Sequence, residues 1–163
     1  MTLTHELDSK WISEALSLNE RSSVFFQSIT TDSRKVTTGS LFVAITGEKM
    51  DGHSFITSAI EMGATGIVAE KGKIPTGLPK HIVIFEVPNT TEAYRQISKA
   101  WRNRFSIPVV CVAGSVGKTT TKEILAAILT GKYQHVVKTQ GSQNGYLGIP
   151  MTLMDITPET EIA

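Results

Sequence analysis

The sequence predicts an α/β protein with a largely parallel sheet, and two observations carry that prediction. Short β-branched apolar runs alternate with segments of helical spacing along most of the chain. One such alternation, residues 108–123 (PVVCVAGSVGKTTTKE), joins an apolar run to a helical segment through a glycine turn. That is the strand–loop–helix form of a phosphate-binding loop. At 163 residues, 40% of them hydrophobic, the chain can bury a core as one ordinary domain or two small ones.

In the first half, residues 9–16 predict a short helix with Trp11, Ile12, Ala15 and Leu16 on one face. Residues 23–30 (SVFFQSIT) and 41–45 (LFVAI) predict strands on either side of a polar turn at Thr37, Thr38 and Gly39. Residues 54–62 predict a helix capped by Ser54 and closed by Gly63. Residues 66–69 and 81–87 predict two more strands, joined by a loop rich in glycine and proline at 72–79.

The second half opens after Pro88 and Asn89, dividing the chain into 1–88 and 89–163. Thr90 or Thr91 caps a predicted helix to about Arg104, with Ala93, Ile97, Ala100 and Trp101 as its apolar stripe. A strand at 108–113, the glycine loop, a helix at 118–129, a strand at 135–138 and a glycine-rich loop at 141–148 follow. A helical segment covers Met151 to Met154.

The chemistry of the glycine loop follows from its residue types. In the usual pattern G-x-x-x-x-G-K-[ST], backbone N–H groups cradle phosphates, the lysine reaches the outer phosphates and the hydroxyl holds Mg²⁺. Here Val112 stands where the first glycine would be, and the loop reads A-G-S-V-G-K-T-T. Gly114 and Gly117 let the backbone approach the phosphates, with Ser115, Val116 and Thr120 completing the loop. Lys118 and Thr119 take the lysine and Mg²⁺ roles. The implied ligands are a nucleoside triphosphate and Mg²⁺. Thr119 and Thr120 could also simply cap the helix.

Such a loop also needs an acidic residue at another strand tip to hold the metal. Beyond residue 121 only Glu123, Asp155, Glu159 and Glu161 are available, and Glu123 on the loop's own helix reads as a solvated residue. A nucleotide-binding sheet of two strands and a stub at 161–163 is unfinished. The expectation is therefore an N-terminal portion of a longer protein.

Composition excludes other classes. With 16 basic and 15 acidic side chains, no cationic excess favours nucleic acid. The first residues, MTLTHELDSKW, lack a signal-peptide pattern, and no apolar run approaches a membrane span. The single cysteine, Cys111, fits a reducing compartment and reads as a buried small residue in its strand. His5, His53, His81 and His135 show no metal-ligand spacing, and Asp51-Gly52-His53 reads as a turn with His53 near a cap or on the surface. A cytoplasmic, soluble protein is expected.

Two stretches resemble the Mur ligases, the ATP-dependent amide-forming enzymes of peptidoglycan synthesis. Residues 31–56 (TDSRKVTTGSLFVAITGEKMDGHSFI) are similar to the N-terminal UDP-binding domain of the family. AGSVGKTTTKE, followed by KTQGSQNGYLGIPMTL at 138–153, is similar to its ATP-binding domain. Within the family, Lys122-Glu123 and Gly148-Ile149-Pro150 resemble the branch that adds the terminal dipeptide more than the branch that adds the third stem residue.

The resemblance implies a small α/β domain at 1–88 that binds the UDP part of the substrate, then the incomplete start of a central ATP-binding domain at 89–163. It implies that Thr31, Ser33, Glu48, Lys49 and Met50 contact the UDP moiety, and that Asn144 lies in an asparagine-rich substrate-contact segment. Here that segment reads Gly141-Ser142-Gln143-Asn144-Gly145, replacing two of three asparagines. The implied reaction joins D-alanyl-D-alanine to UDP-N-acetylmuramoyl-tripeptide through an acyl phosphate, in a monomer without nucleic-acid partner or membrane insertion. This chain alone is expected to be inactive. Two alternatives stay open: the branch adding the third stem residue, and a non-catalytic nucleotide-binding module.

Overall fold

The computed structural model describes residues 7–19, 22–47, 50–141 and 145–163. The chain packs as two compact units, Met1–Ile97 and Ser98–Ala163.

In the first unit, α1 (Ser9–Ala15) starts at Asp8, whose carboxylate accepts the Trp11 N–H at 2.6 Å. Ile12 and Leu16 are buried, whereas Trp11 on the same helix is only half-buried. A four-stranded parallel sheet follows in the order β1 (Ser28–Thr30), β2 (Ser40–Val43), β3 (Ala64–Glu70), β4 (Val83–Val87). β1 is shorter than the expected 23–30. The chain entering α1 takes the backbone of that segment instead: Ser9 N–H donates to Val24 O and Phe26 N–H to Leu7 O.

Both faces of the sheet are covered, which is why β2 and β3 read as continuous apolar runs rather than as alternating ones. Phe42, Ala44, Ile67 and Ala69 form one core with Ile56 and Ala59 of α2 (Ile56–Glu61). On the other face the Phe26 ring meets Phe85 edge-on at 6.2 Å between centroids. Each fully buried phenylalanine contributes about 1.5–3 kcal/mol by leaving water.

Capping differs from expectation at two helices. Asp51, not Ser54, caps the chain entering α2: its carboxylate accepts the His53 N–H of a 3-10 turn at Gly52–Phe55. Ser54 turns its hydroxyl back to Asp51 O. At α3 (Thr90–Arg102) the cap is Asn89, which accepts the Glu92 N–H at 2.8 Å. An amide side chain one residue before the threonines reaches the orphan donor better placed for it.

The second unit contains the end of α3, α4 (Lys118–Thr130) and α5 (Gly148–Met154). Trp101 is fully buried, donates its indole N–H to Ile156 O at 2.9 Å and packs edge-on against Phe105. The strands expected at 108–113 and 135–138 are not formed. Residues 135–137 and 108–110 flank the segment 161–163 through single bonds, such as Val110 N–H to Ala163 O and Val137 N–H to Ile162 O. Val110 is 47% exposed and Cys111 is exposed too, so this apolar run lacks the two-sided cover that the sheet of the first unit has.

Candidate functional site

In parallel α/β sheets, ligands are met by the loops beyond the carboxyl ends of the strands. Thr31 and Ser33 lie there, directly after β1, and Met50 lies beyond the end of neighbouring β2. Asp32 caps a 3-10 turn at Ser33–Lys35 and accepts from Arg34 Nε at 2.9 Å and Nη2 at 2.8 Å. Those bonds to the Arg34 guanidinium hold the Asp32 carboxyl down at about 2. Arg34 is itself 86% exposed along its side chain. Thr31 and Ser33 are half-buried beside this turn.

The segment after β2 doubles back on itself. Thr46 bridges Asp51, Gly47 N–H donates to Met50 O at 2.9 Å, and Gly52 N–H to Ile45 O at 2.8 Å. Met50 is exposed. Glu48 and Lys49 lie outside the described residues, as does Asn144.

His53 departs from its expected surface place. It is 6% exposed, its Nδ1 lies 2.6 Å from the Asp51 carboxylate, and its Nε2 accepts the Glu70 N–H at 2.9 Å. Accepting at Nε2 fixes the proton on Nδ1, which donates to Asp51. Lys73 joins the group, donating to Thr46 Oγ1 and Asp51 and pairing with Glu70. The bonds from His53 hold the Asp51 carboxyl well below the usual carboxylate range. Sequence reasoning missed this network. Its one visible signal was an aspartate two residues before a histidine, a spacing that a plain turn shares.

The phosphate loop belongs to the second unit. Gly114 has φ +150° and Gly117 φ +80°, both in the region where a Cβ is strained. Gly117 leads straight into α4, and no side chain caps that helix start. The first N–H groups of α4 thus lack partners inside the helix and face outward with the positive end of its dipole. Lys118 folds back over the loop, donating to Gly114 O and to Ser115 O at 3.3 Å. Ser115, Val116, Thr119 and Thr120 are exposed.

One turn further on, Lys122 donates to Thr139 O at 2.5 Å and Gly141 O at 2.7 Å, tying the glycine-rich segment to α4. Lys118, Thr119, Lys122 and Lys138 line one cavity of about 210 Å³ together with Leu129 and Val137.

These groups fit a phosphate chain: two glycines, an open helix start and an ammonium on the loop. The acidic residues do not converge on it. Glu123 pairs with Lys138 and with Lys122, and those cations lower its pKa. Glu161 accepts the N–H groups of Gln134 and His135. Among the described residues no three His, Cys, Asp or Glu side chains gather as a metal site. Tyr146, ahead of α5, is exposed. No helix among the described residues is long and apolar enough to cross a membrane.

A parallel α/β unit followed by a glycine loop at an uncapped helix start places the chain in the α/β class. Within it, residues 26–102 match the model of the Mur ligase family catalytic domain, and residues 112–163 that of the Mur ligase middle domain. The chain belongs to the Mur ligase family and is MurF-like. It is 43% identical over 135 residues to the UDP-N-acetylmuramoyl-tripeptide--D-alanyl-D-alanine ligase of Synechocystis sp., covering 83% of this chain and 29% of that one. A crystal structure of MurF from Acinetobacter baumannii superposes with TM-score 0.83 at 27% identity, over 98% of this chain and 35% of that one. The MurF ligase of Thermotoga maritima in complex with ADP gives TM-score 0.70 at 36% identity, over 82% and 30%. The chain thus spans about a third of the length of these relatives.

Proposed function

We propose that this chain supplies two binding functions of an ATP-dependent ligase that joins D-alanyl-D-alanine to UDP-N-acetylmuramoyl-tripeptide in the cytoplasm, through an acyl phosphate. The observation that carries the reading is the loop from Gly114 to Gly117, opening onto an uncapped α4 with the Lys118 ammonium lying across it. The 43% identity with a ligase of that name supports the choice of substrates.

In this reading the Gly114–Gly117 backbone and the N–H groups of Lys118, Thr119 and Thr120 hold the phosphates of ATP, and the Thr119 hydroxyl reaches Mg²⁺. ATP supplies the phosphoryl group that activates the substrate carboxylate. Lys118 exchanges its loop carbonyls for phosphate oxygens and offsets the repulsion between two anions brought together. Thr31, Ser33 and Met50, with Glu48 and Lys49, grip the UDP end, and Asn144 contacts substrate. That grip is remote binding energy, which positions the reacting end rather than reacting itself.

Calorimetry on the 163-residue chain tests both functions separately, with ATP in one titration and UDP in the other. Each nucleotide is expected to bind, neither displacing the other, and no phosphate release should accompany the full substrate set. Absence of ATP binding defeats the loop assignment, and displacement of UDP by ATP defeats the two-site reading.

A further inference from the structure

The buried His53 and its partners have no part in gripping either nucleotide as described so far. Asp51 closes the doubled-back segment after β2, and its carboxylate carries an unusual load. It accepts from His53 N at 3.0 Å, His53 Nδ1 at 2.6 Å, Thr46 Oγ1 at 3.2 Å and Lys73 Nζ at 3.2 Å. His53 in turn is fixed from the far side by the N–H of Glu70, the last residue of β3. The Glu70 carboxylate continues the chain of bonds to Lys73 at 2.9 Å and to Thr90 at 3.4 Å, the first residue of α3. Gly52 completes the closure. A Cβ there would lie 2.6 Å from Ile45 O and 2.7 Å from Ile45 N, so only glycine lets the two arms meet.

We propose that Asp51 and His53 are positioning residues, which clamp the two arms Thr46–Gly47 and Met50–Gly52 to the carboxyl edge of β3 and so fix the spacing of the arms beside the UDP end of the substrate. The inference rests on the reading of that loop as a UDP contact. A loop fixed before binding loses less conformational freedom on binding, so the clamp acts on affinity without touching the ligand. The imidazole is suited to the task because it donates at one nitrogen and accepts at the other. A side chain with only one of those capacities leaves either Asp51 or the Glu70 N–H without its bond.

The test compares His53→Leu, His53→Gln and Asp51→Asn in the whole chain. Gln offers both a donor and an acceptor, whereas Leu offers neither. UDP affinity is expected to fall about tenfold in His53→Leu and Asp51→Asn and to recover partly in His53→Gln, with ATP affinity unchanged. Amide exchange at Gly47 and Gly52 should accelerate in the first two variants in the absence of any ligand. Unchanged exchange at both glycines overturns the clamp, whatever UDP does. Accelerated exchange with parental UDP affinity leaves no positioning role and overturns the proposal as well. If the parent does not bind UDP, the UDP-site reading fails, and the positioning role falls with it even when exchange shows the clamp itself intact.

Discussion

Lys118→Ala isolates the loop's contribution to nucleotide binding. In the free chain the ammonium rests on two loop carbonyls, Gly114 O and Ser115 O, of residues that are themselves exposed. Its removal should therefore leave the folding midpoint within about 0.5 kcal/mol of the parent, as for most exposed substitutions. Binding is different. A charge-assisted hydrogen bond to a phosphate oxygen contributes about 1.5–3 kcal/mol net. The two carbonyl bonds given up on engagement hold the gain to roughly one such contact. At about 1.4 kcal/mol per factor of ten, ATP affinity should drop about 10- to 150-fold. Calorimetry at fixed ionic strength reads the change, and UDP titrated into the same variant controls for misfolding. Equal ATP affinities in variant and parent would refute the reasoning, as would a parallel loss of UDP binding.

Three further outcomes follow from single contacts. Trp101→Phe leaves the buried Ile156 carbonyl without its indole donor, so urea unfolding should lose about 1–3 kcal/mol; an unmoved midpoint counts against that bond. Asp32, lowered from 3.8 to about 2 by Arg34, contributes stability that is whole above about pH 4 and fades as pH falls through 2. Carboxyl titration by NMR should show that midpoint and should move it back toward 3.8 in Arg34→Ala; a midpoint indifferent to Arg34 contradicts the assigned cause. Cys111 is exposed, so its thiol should react fully with a disulfide reagent before denaturant is added, whereas reaction only after unfolding would show it covered.

The parts of the fold that could be read from sequence are those whose partners lie in their own pattern. β2 and β3 were visible because Leu41–Val43 and Ile67–Ala69 are apolar and buried on both faces, and β4 because its alternation buries Val83, Phe85 and Val87 and leaves Glu86 exposed. Gly114, Gly117 and Lys118 were visible because the loop's backbone demands are local. What escaped depends on residues distant in sequence. His53 is buried because the Glu70 N–H, seventeen positions away, needs an acceptor. The run at 108–113 has strand composition, yet among the described residues only Pro108 and Val110 find backbone partners, both on Ala163. Glu123 was read as solvated, but Lys138 from beyond α4 claims its carboxylate.

The sheet of the first unit has its strands side by side in the order in which they occur in the chain. Each strand after β1 therefore docks on the one made just before it, across connections of 9, 20 and 12 residues between Thr30 and Ser40, Val43 and Ala64, and Glu70 and Val83. No strand waits for a later one to be inserted beside it. During synthesis such a sheet can grow at one edge as the chain leaves the ribosome, with short loops to close. Its Thr46–Asp51 clamp can close as soon as β3 is in place, and the first unit can fold before the second is complete.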